Sequence, residues 1–322
     1  MSTTFIDILR RALDEEMERD AAVHLLGEDV AVGGAFGVTR GLVDRHGAAR
    51  VRNTPISEAA ITGIATGAAL CGLRPVLEIM FIDFATLALD CLVNQAAKYR
   101  YMSGGQLSVP LVVRTQSGAA GGAAAQHSQS LESWLTHVPG LVVVAPATPM
   151  EAYGLLKAAI RLGDPVIFVE HKRLYAMREE FVPSAVPTPI GKARIARAGT
   201  DLTLVTYSAM VRDALEAADT LAREGLSVEV IDLRTLSPLD LPTIAASVAK
   251  THRVLIAHEA VTQGGLGAEI AARVADELFW ELDAPVQRVG CPFVPIPFAP
   301  GLESALLPGT AAILAAARRL CG

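Results

Sequence analysis

The chain has 322 residues, 51% hydrophobic and 19% charged, with a formal net charge of −6 and a mean hydropathy of +0.38. That length exceeds what one hydrophobic core usually serves, so two domains are expected, and the acidic balance, with no Lys/Arg run, excludes the electrostatic footprint of a nucleic-acid binder. The four cysteines, Cys71, Cys91, Cys291 and Cys321, form no Cys-x-x-Cys pair, which points to a reducing cytoplasm rather than a disulfide framework.

In chain order, Phe5, Ile8, Leu9, Ala12, Leu13 and Met17 recur at helical spacing and predict an amphipathic N-terminal helix. Its acidic residues, Asp14, Glu15, Glu16 and Glu18, are unlike the basic start of a secretory signal. Short apolar strands are expected at 23–26, 51–53, 76–79, 110–114, 141–145 and 166–170, with helices at 59–71, 85–101 and 150–161 between them. This alternation implies an α/β fold with mostly parallel sheets covered on both faces. Residues 172–200 break the rhythm with Pro183, Pro187 and Pro189, so a first domain is expected over 1–182, a linker over 183–200 and a second domain over 201–322. The second domain should have strands at 202–207, 228–232, 254–258 and 286–289, and helices from Val211, Leu239, Gly267 and Thr310. The apolar, glycine-rich stretch 63–73 is far shorter than the roughly 18 residues of a membrane span, so no membrane association is expected.

Within this frame Glu58 stands out, because it follows a predicted strand and opens a small, apolar helix that offers little to solvate it. Ser57 is a good helix N-cap, and an acid in the first turn can merely serve the helix dipole. A second polar cluster, His127-Ser128-Gln129-Ser130, follows a Gly/Ala stretch over 117–125 that reads as a flexible loop. His127 is expected to open a helix over 128–137, where an imidazole can give or take a proton; a capping or packing histidine is the alternative. Gly264-Gly265-Leu266-Gly267 looks like a phosphate cradle, but it lacks the third glycine and the acidic partner of the dinucleotide fingerprint, which favours tight helix packing. The seven histidines show no zinc spacing, and no metal site can be drawn from side chains alone.

The segments Gly27-Glu28-Asp29-Val30, Phe36-Gly37-Val38-Thr39, Asn53-Thr54-Pro55-Ile56-Ser57-Glu58, Gly72-Leu73-Arg74-Pro75, Asn94-Gln95-Ala96-Ala97-Lys98, Tyr101-Met102-Ser103-Gly104-Gly105, Gln126-His127-Ser128-Gln129-Ser130 and His137-Val138-Pro139-Gly140-Leu141 carry a resemblance over nearly the whole chain. In this order they resemble the β subunit of the thiamin-diphosphate-dependent decarboxylase component of 2-oxo acid dehydrogenase complexes. The resemblance implies a pyrimidine-binding domain followed by a transketolase C-terminal-like domain. It implies that Glu58 hydrogen-bonds the aminopyrimidine of thiamin diphosphate and activates it, that Phe84 packs on that ring, and that Ile56 and Met80 form its apolar surround. His127 would serve as a second catalytic residue.

The resemblance also explains an absence, since the family holds the cofactor's diphosphate and Mg2+ with Gly-Asp-Gly and a later Asn, and this chain contains no Gly-Asp-Gly. An α subunit is therefore expected to supply that half, in an assembly of two α and two β chains, with a lipoyl acyltransferase as the next partner. A structural K+ is implied in a loop bearing Ile160 and Asp164, although Leu162 stands where members often have an acid. Glu170 to Tyr175 leans towards the pyruvate and acetoin branches, with Arg173 unusual, and Ala123-Ala124-Ala125 replaces bulkier residues. Oxidative decarboxylation of a small 2-oxo acid, with pyruvate favoured, is expected. The alternatives are an acetoin dehydrogenase β subunit, the C-terminal half of a split transketolase, and a noncatalytic scaffold subunit.

Overall fold

A computed structural model describes residues 2–184 and 186–322. The chain divides into two compact units, Met1–Ser117 with Trp134–Ile190, and Gly118–Ser133 with Gly191–Gly322. Residues 118–133, expected in the first domain, thus cluster with the second. The expected linker also holds a strand, Arg194–Arg197, that joins the second unit's sheet.

The first unit contains β1 (Ser2–Thr4), α1 (Phe5–Arg19), β2 (Val23–Gly27), α2 (Leu42–His46), β3 (Val51–Asn53), α3 (Glu58–Leu70), β4 (Arg74–Ile79), α4 (Ala85–Asp90), α5 (Tyr99–Met102) and β5 (Val112–Ser117). After α6 (Glu132–Thr136) come β6 (Val142–Val144), α7 (Pro149–Arg161), β7 (Val166–His171) and β8 (Arg178–Glu180). Strands β6-β7-β5-β4-β2-β3 are neighbours in that order, and every pairing among them is parallel. Their register aligns Val51, Leu25, Val76, Val112 and Val166 in one row, so β-branched and leucine side chains stack across the sheet. Two of the helix starts are capped by side chains: Thr4 Oγ1 accepts the Asp7 N–H at 3.1 Å, and Thr148 caps α7 with Pro149 in its first turn.

The helix expected over 85–101 is instead interrupted by a π-helical turn, Cys91–Ala96, between α4 and α5. Cys91 Sγ lies 3.4 Å from Ala59 O at this point, so packing against α3 accompanies the irregular turn.

Helices α1 and α7 pack together through a polar contact that neither helix could hold alone. Glu15 accepts from Lys157 Nζ at 2.9 Å, from Arg11 Nε at 2.9 Å, and from the Tyr153 hydroxyl. Burial raises the Glu15 pKa, but the bonds from Lys157, Tyr153 and Arg11 outweigh it and hold the carboxyl at about 2 rather than 4.5. A depressed folded-state pKa stabilises the fold above the unfolded value and loses that stabilisation as pH falls through the folded one. Glu15→Gln should therefore lower the melting temperature by a few degrees at pH 7, with the difference from wild type narrowing as pH falls from about 4.5 towards about 2. Thermal melts of both proteins across that range check it.

The second unit contains β9 (Arg194–Arg197), β10 (Leu202–Thr206), α8 (Met210–Arg223), β11 (Val228–Asp232), β12 (Thr235–Ser237), α9 (Leu241–Thr251), β13 (Val254–Val261), α10 (Leu266–Glu277), β14 (Gln287–Cys291), α11 (Pro300–Leu306) and α12 (Thr310–Cys321). Its sheet runs β14-β13-β10-β11-β9, parallel except that β9 is antiparallel to β11. The core forms where Leu202, Leu204, Val230 and Leu255 meet Ala214, Ala217, Leu221, Ile313 and Ala317 of α8 and α12. Among the described residues of the chain, no helix is long and apolar enough to cross a membrane.

Candidate active site

In the first unit the candidate residues Glu58 and Met80, with Glu28, lie at the carboxyl ends of β3, β4 and β2, the end of open parallel sheets where ligands generally sit. Glu28 follows β2, Glu58 opens α3 after β3, and Met80 follows β4. The segments carrying the two acids are tied together: Thr54 N–H donates to Gly27 O at 3.0 Å, and Ala31 N–H donates to Asn53 Oδ1 at 2.7 Å. Glu58 is 6% exposed and Glu28 9%. Burial, then the charges of Glu58 and Asp29, push the Glu28 carboxyl above its usual range.

The Glu58 carboxylate makes no hydrogen bond or ion pair among the described residues, while its backbone carbonyl accepts from Thr62 Oγ1 at 2.6 Å. Ser57 occupies the N-cap position, but its φ of −168° and ψ of 73° leave it without a side-chain capping bond. The helix start is thus not organised around a capping box, and the Glu58 carboxylate has no structural partner among the described residues.

Phe84 ends a 3₁₀ turn, Ile82–Phe84, and packs edge-on to Phe81 with centroids 5.6 Å apart. Phe81 meets Phe36 at 5.8 Å, and Phe36 meets Tyr175 at 5.1 Å. Phe84 and Met80 are half-buried and Ile56 is 82% exposed. Half-covered aromatic and thioether surface near a buried acid without a counter-charge fits a flat, hydrogen-bonding heteroaromatic ring.

Behind these residues lies an ionic core that sequence reading missed. Arg114, fully buried on β5, donates from Nε and Nη2 to Glu170 at 2.7 and 2.9 Å and from Nη1 to Glu78 at 2.6 Å. The Tyr175 hydroxyl donates to Glu170 at 2.6 Å. Burial, then the neighbouring Glu170 charge, raise the Tyr175 pKa well above its ordinary value. Gly34 is required here: its φ is +67°, and a Cβ there would lie 2.4 Å from Glu78 Oε1.

His127 lies in the second unit and does not open a helix. Ser128, Gln129 and Ser130 precede α6, which starts only at Glu132. Such side chains compete for backbone hydrogen bonds, and Gln129 O accepts the Gly118 N–H at 3.0 Å, which holds this stretch out of a helix. The Gly/Ala segment read as flexible is likewise tied down, by bonds from Ala119 N–H to Glu259 Oε1 at 2.6 Å and from Gly122 N–H to Glu303 Oε2 at 3.1 Å.

The glycine-rich start of α10 is packing rather than a phosphate cradle. Added Cβ atoms at Gly265 and Gly267 would lie 2.9 Å from His258 Cε1 and 2.5 Å from its Nε2, so the helix closes directly on that buried ring. Burial, then Arg288, lower the His258 pKa to about 4.

At the loop proposed for potassium, Arg74 Nη1 donates to Ile160 O at 3.0 Å and Leu162 O at 3.2 Å, while Arg100 pairs with Asp164. Two guanidinium groups therefore already supply positive charge to these oxygens.

A family model for the transketolase pyrimidine-binding domain matches residues 2–178, and one for the transketolase C-terminal domain matches residues 191–313. The chain is 50% identical over 99% of its length to pyruvate dehydrogenase E1 component subunit beta-2, mitochondrial, of Oryza sativa subsp. japonica, covering 86% of that protein. It is 48% identical over 97% of its length to the acetoin:2,6-dichlorophenolindophenol oxidoreductase subunit beta of Cupriavidus necator, covering 95% of that protein. The chain belongs to the E1 β-subunit family of pyruvate and acetoin dehydrogenases. Among solved structures, this E1 β-type chain superposes with a TM-score of 0.81 on a split-gene transketolase in an inactive beta4 tetramer, covering 98% of this chain and 97% of that one. At 24% identity that likeness shows the shared fold alone. The pyrimidine-binding match takes in most of the first unit together with residues 118–133, which cluster with the second unit, and the C-terminal match lies within the second unit of this E1 β chain.

Proposed function

We propose that the chain is the β half of a thiamin-diphosphate-dependent decarboxylase acting on a small 2-oxo acid, with pyruvate as the favoured substrate and a lipoyl group as acyl acceptor. The observation that carries this reading is Glu58: a buried carboxylate at the carboxyl ends of parallel strands, beside Glu28, with no partner of its own among the described residues.

When bound, thiamin diphosphate supplies the electron sink for decarboxylation. The residues of this chain bind and orient it. Glu58 would hydrogen-bond a pyrimidine nitrogen, and its low exposure would keep that contact out of competition with water. Glu28 lies close enough for its own carboxyl to be pushed up by the Glu58 charge, so the two acids belong to one site. Phe84, with Met80 and Ile56, would supply the apolar surface against which the ring packs. His127 gives a proton to the departing sulfur of a lipoyl dithiolane during acyl transfer.

Mg2+ and the diphosphate are assigned to an α subunit, because Gly-Asp-Gly is missing here, and the working assembly has two α and two β chains. Acetoin is the second reading, supported by the 48% identical Cupriavidus subunit. The complex of this chain with its α partner should reduce a dye acceptor in the presence of thiamin diphosphate, Mg2+ and pyruvate, whereas the chain alone should not. Turnover with acetoin but not pyruvate would move the assignment to the second reading. Turnover with neither would contradict both.

A further inference from the structure

The loop that carries His127 is poor in side chains, and by composition nothing in it should keep one shape. Yet two carboxylates from distant points of the second unit accept its backbone N–H groups. Glu259, on β13, takes the Ala119 N–H at 2.6 Å, and Glu303, on α11, takes the Gly122 N–H at 3.1 Å. The acids are 7% and 6% exposed, so these bonds are shielded from water. A charged acceptor makes a shorter and stronger bond than a neutral one. Gly122 is held closely as well as bonded: its φ is +75°, and a Cβ there would lie 2.9 Å from Phe298 O. The Gly118 N–H to Gln129 O bond closes the loop on itself.

We propose that Glu259 and Glu303 are positioning residues that clamp the loop 118–130 through its backbone and so hold His127 in one place for acyl transfer. This rests on the assignment of His127 above. The clamp explains why the loop can consist of glycine and alanine: small residues let the backbone approach two buried acids, and the acids supply the order that the loop's own side chains lack.

The test is amide hydrogen exchange on the complex with its α partner, read peptide by peptide, with transfer to a lipoyl domain and dye-linked decarboxylation measured on the same samples. Glu303→Ala and Glu259→Ala should each speed exchange over 118–130 roughly tenfold or more, since each removes a bond to a charged group. Glu303→Gln should have a smaller effect, because an amide oxygen still accepts the N–H. Gly122→Ala should loosen the same segment without touching either acid. Lipoyl transfer should fall in step with loop exchange, while dye-linked decarboxylation is largely kept. Unchanged exchange over 118–130 in folded Glu259→Ala and Glu303→Ala complexes would overturn the clamp. Faster exchange with lipoyl transfer intact in these variants and in His127→Ala would keep the clamp on the loop but remove the acyl-transfer role of His127.

Discussion

Glu58→Gln should slow loss of the proton from the thiazolium carbon of bound cofactor by roughly 10²- to 10⁴-fold, the range typical of a lost general acid–base group. That corresponds to about 3–5 kcal/mol of barrier. The amide keeps the size and hydrogen-bonding reach of the side chain but cannot carry a negative charge or exchange a proton. Assembly should survive, because the Glu58 carboxylate has no structural partner among the described residues and Ser57 makes no side-chain cap that the change could disturb. Both dye-linked decarboxylation and lipoyl transfer should fall together, as both follow cofactor activation. Hydrogen–deuterium exchange at the thiazolium carbon reads the step directly. A normal exchange rate in the folded variant would return Glu58 to the role of an ordinary first-turn acid.

His127→Ala should separate what Glu58→Gln joins. Decarboxylation itself asks nothing of a proton donor at sulfur, so the variant should keep a substantial fraction of dye-linked turnover. Transfer to a lipoyl domain requires a proton as the dithiolane opens, and it should lose most of its rate, roughly 10²-fold or more. Parallel assays of the reconstituted complex, with a thermal melt to confirm folding, check the split. Equal losses in both assays would mean that His127 acts before acyl transfer or only orders its loop.

Much of the fold was legible because short runs of three to six strand-forming residues, separated by helical spacing, leave few options but a covered parallel sheet; β2, β3, β7 and β11 begin at the expected residues. What local pattern could not convey was tertiary commitment. Residues 117–125 read as a flexible loop and 128–137 as a helix of the first domain, yet 118–133 cluster with the second unit, where the Ala119 and Gly122 N–H groups find acceptors on Glu259 and Glu303, far away in sequence. Arg114, Glu78 and Glu170 lie in or beside stretches read as plain strands, and only the alignment of β4, β5 and β7 reveals that they compensate one another. The π-helical turn at Cys91–Ala96 has no signature in spacing and goes with packing of Cys91 on Ala59. Glu58 was legible from its place after a strand, whereas Glu28, its electrostatic neighbour, stood out only as part of a family segment. An acid just past the end of β2 was the signal that could have found it.

On this reading the chain carries the pyrimidine half of a thiamin diphosphate site and lacks the diphosphate half. Titration calorimetry with thiamin diphosphate and Mg2+ tests it most directly, first on the isolated chain and then on the chain assembled with an α subunit bearing Gly-Asp-Gly. Negligible heat from the isolated chain and saturable, magnesium-dependent binding to the assembly, at two sites per two α and two β chains, is the predicted result. Tight, magnesium-dependent binding to the isolated chain would contradict the account.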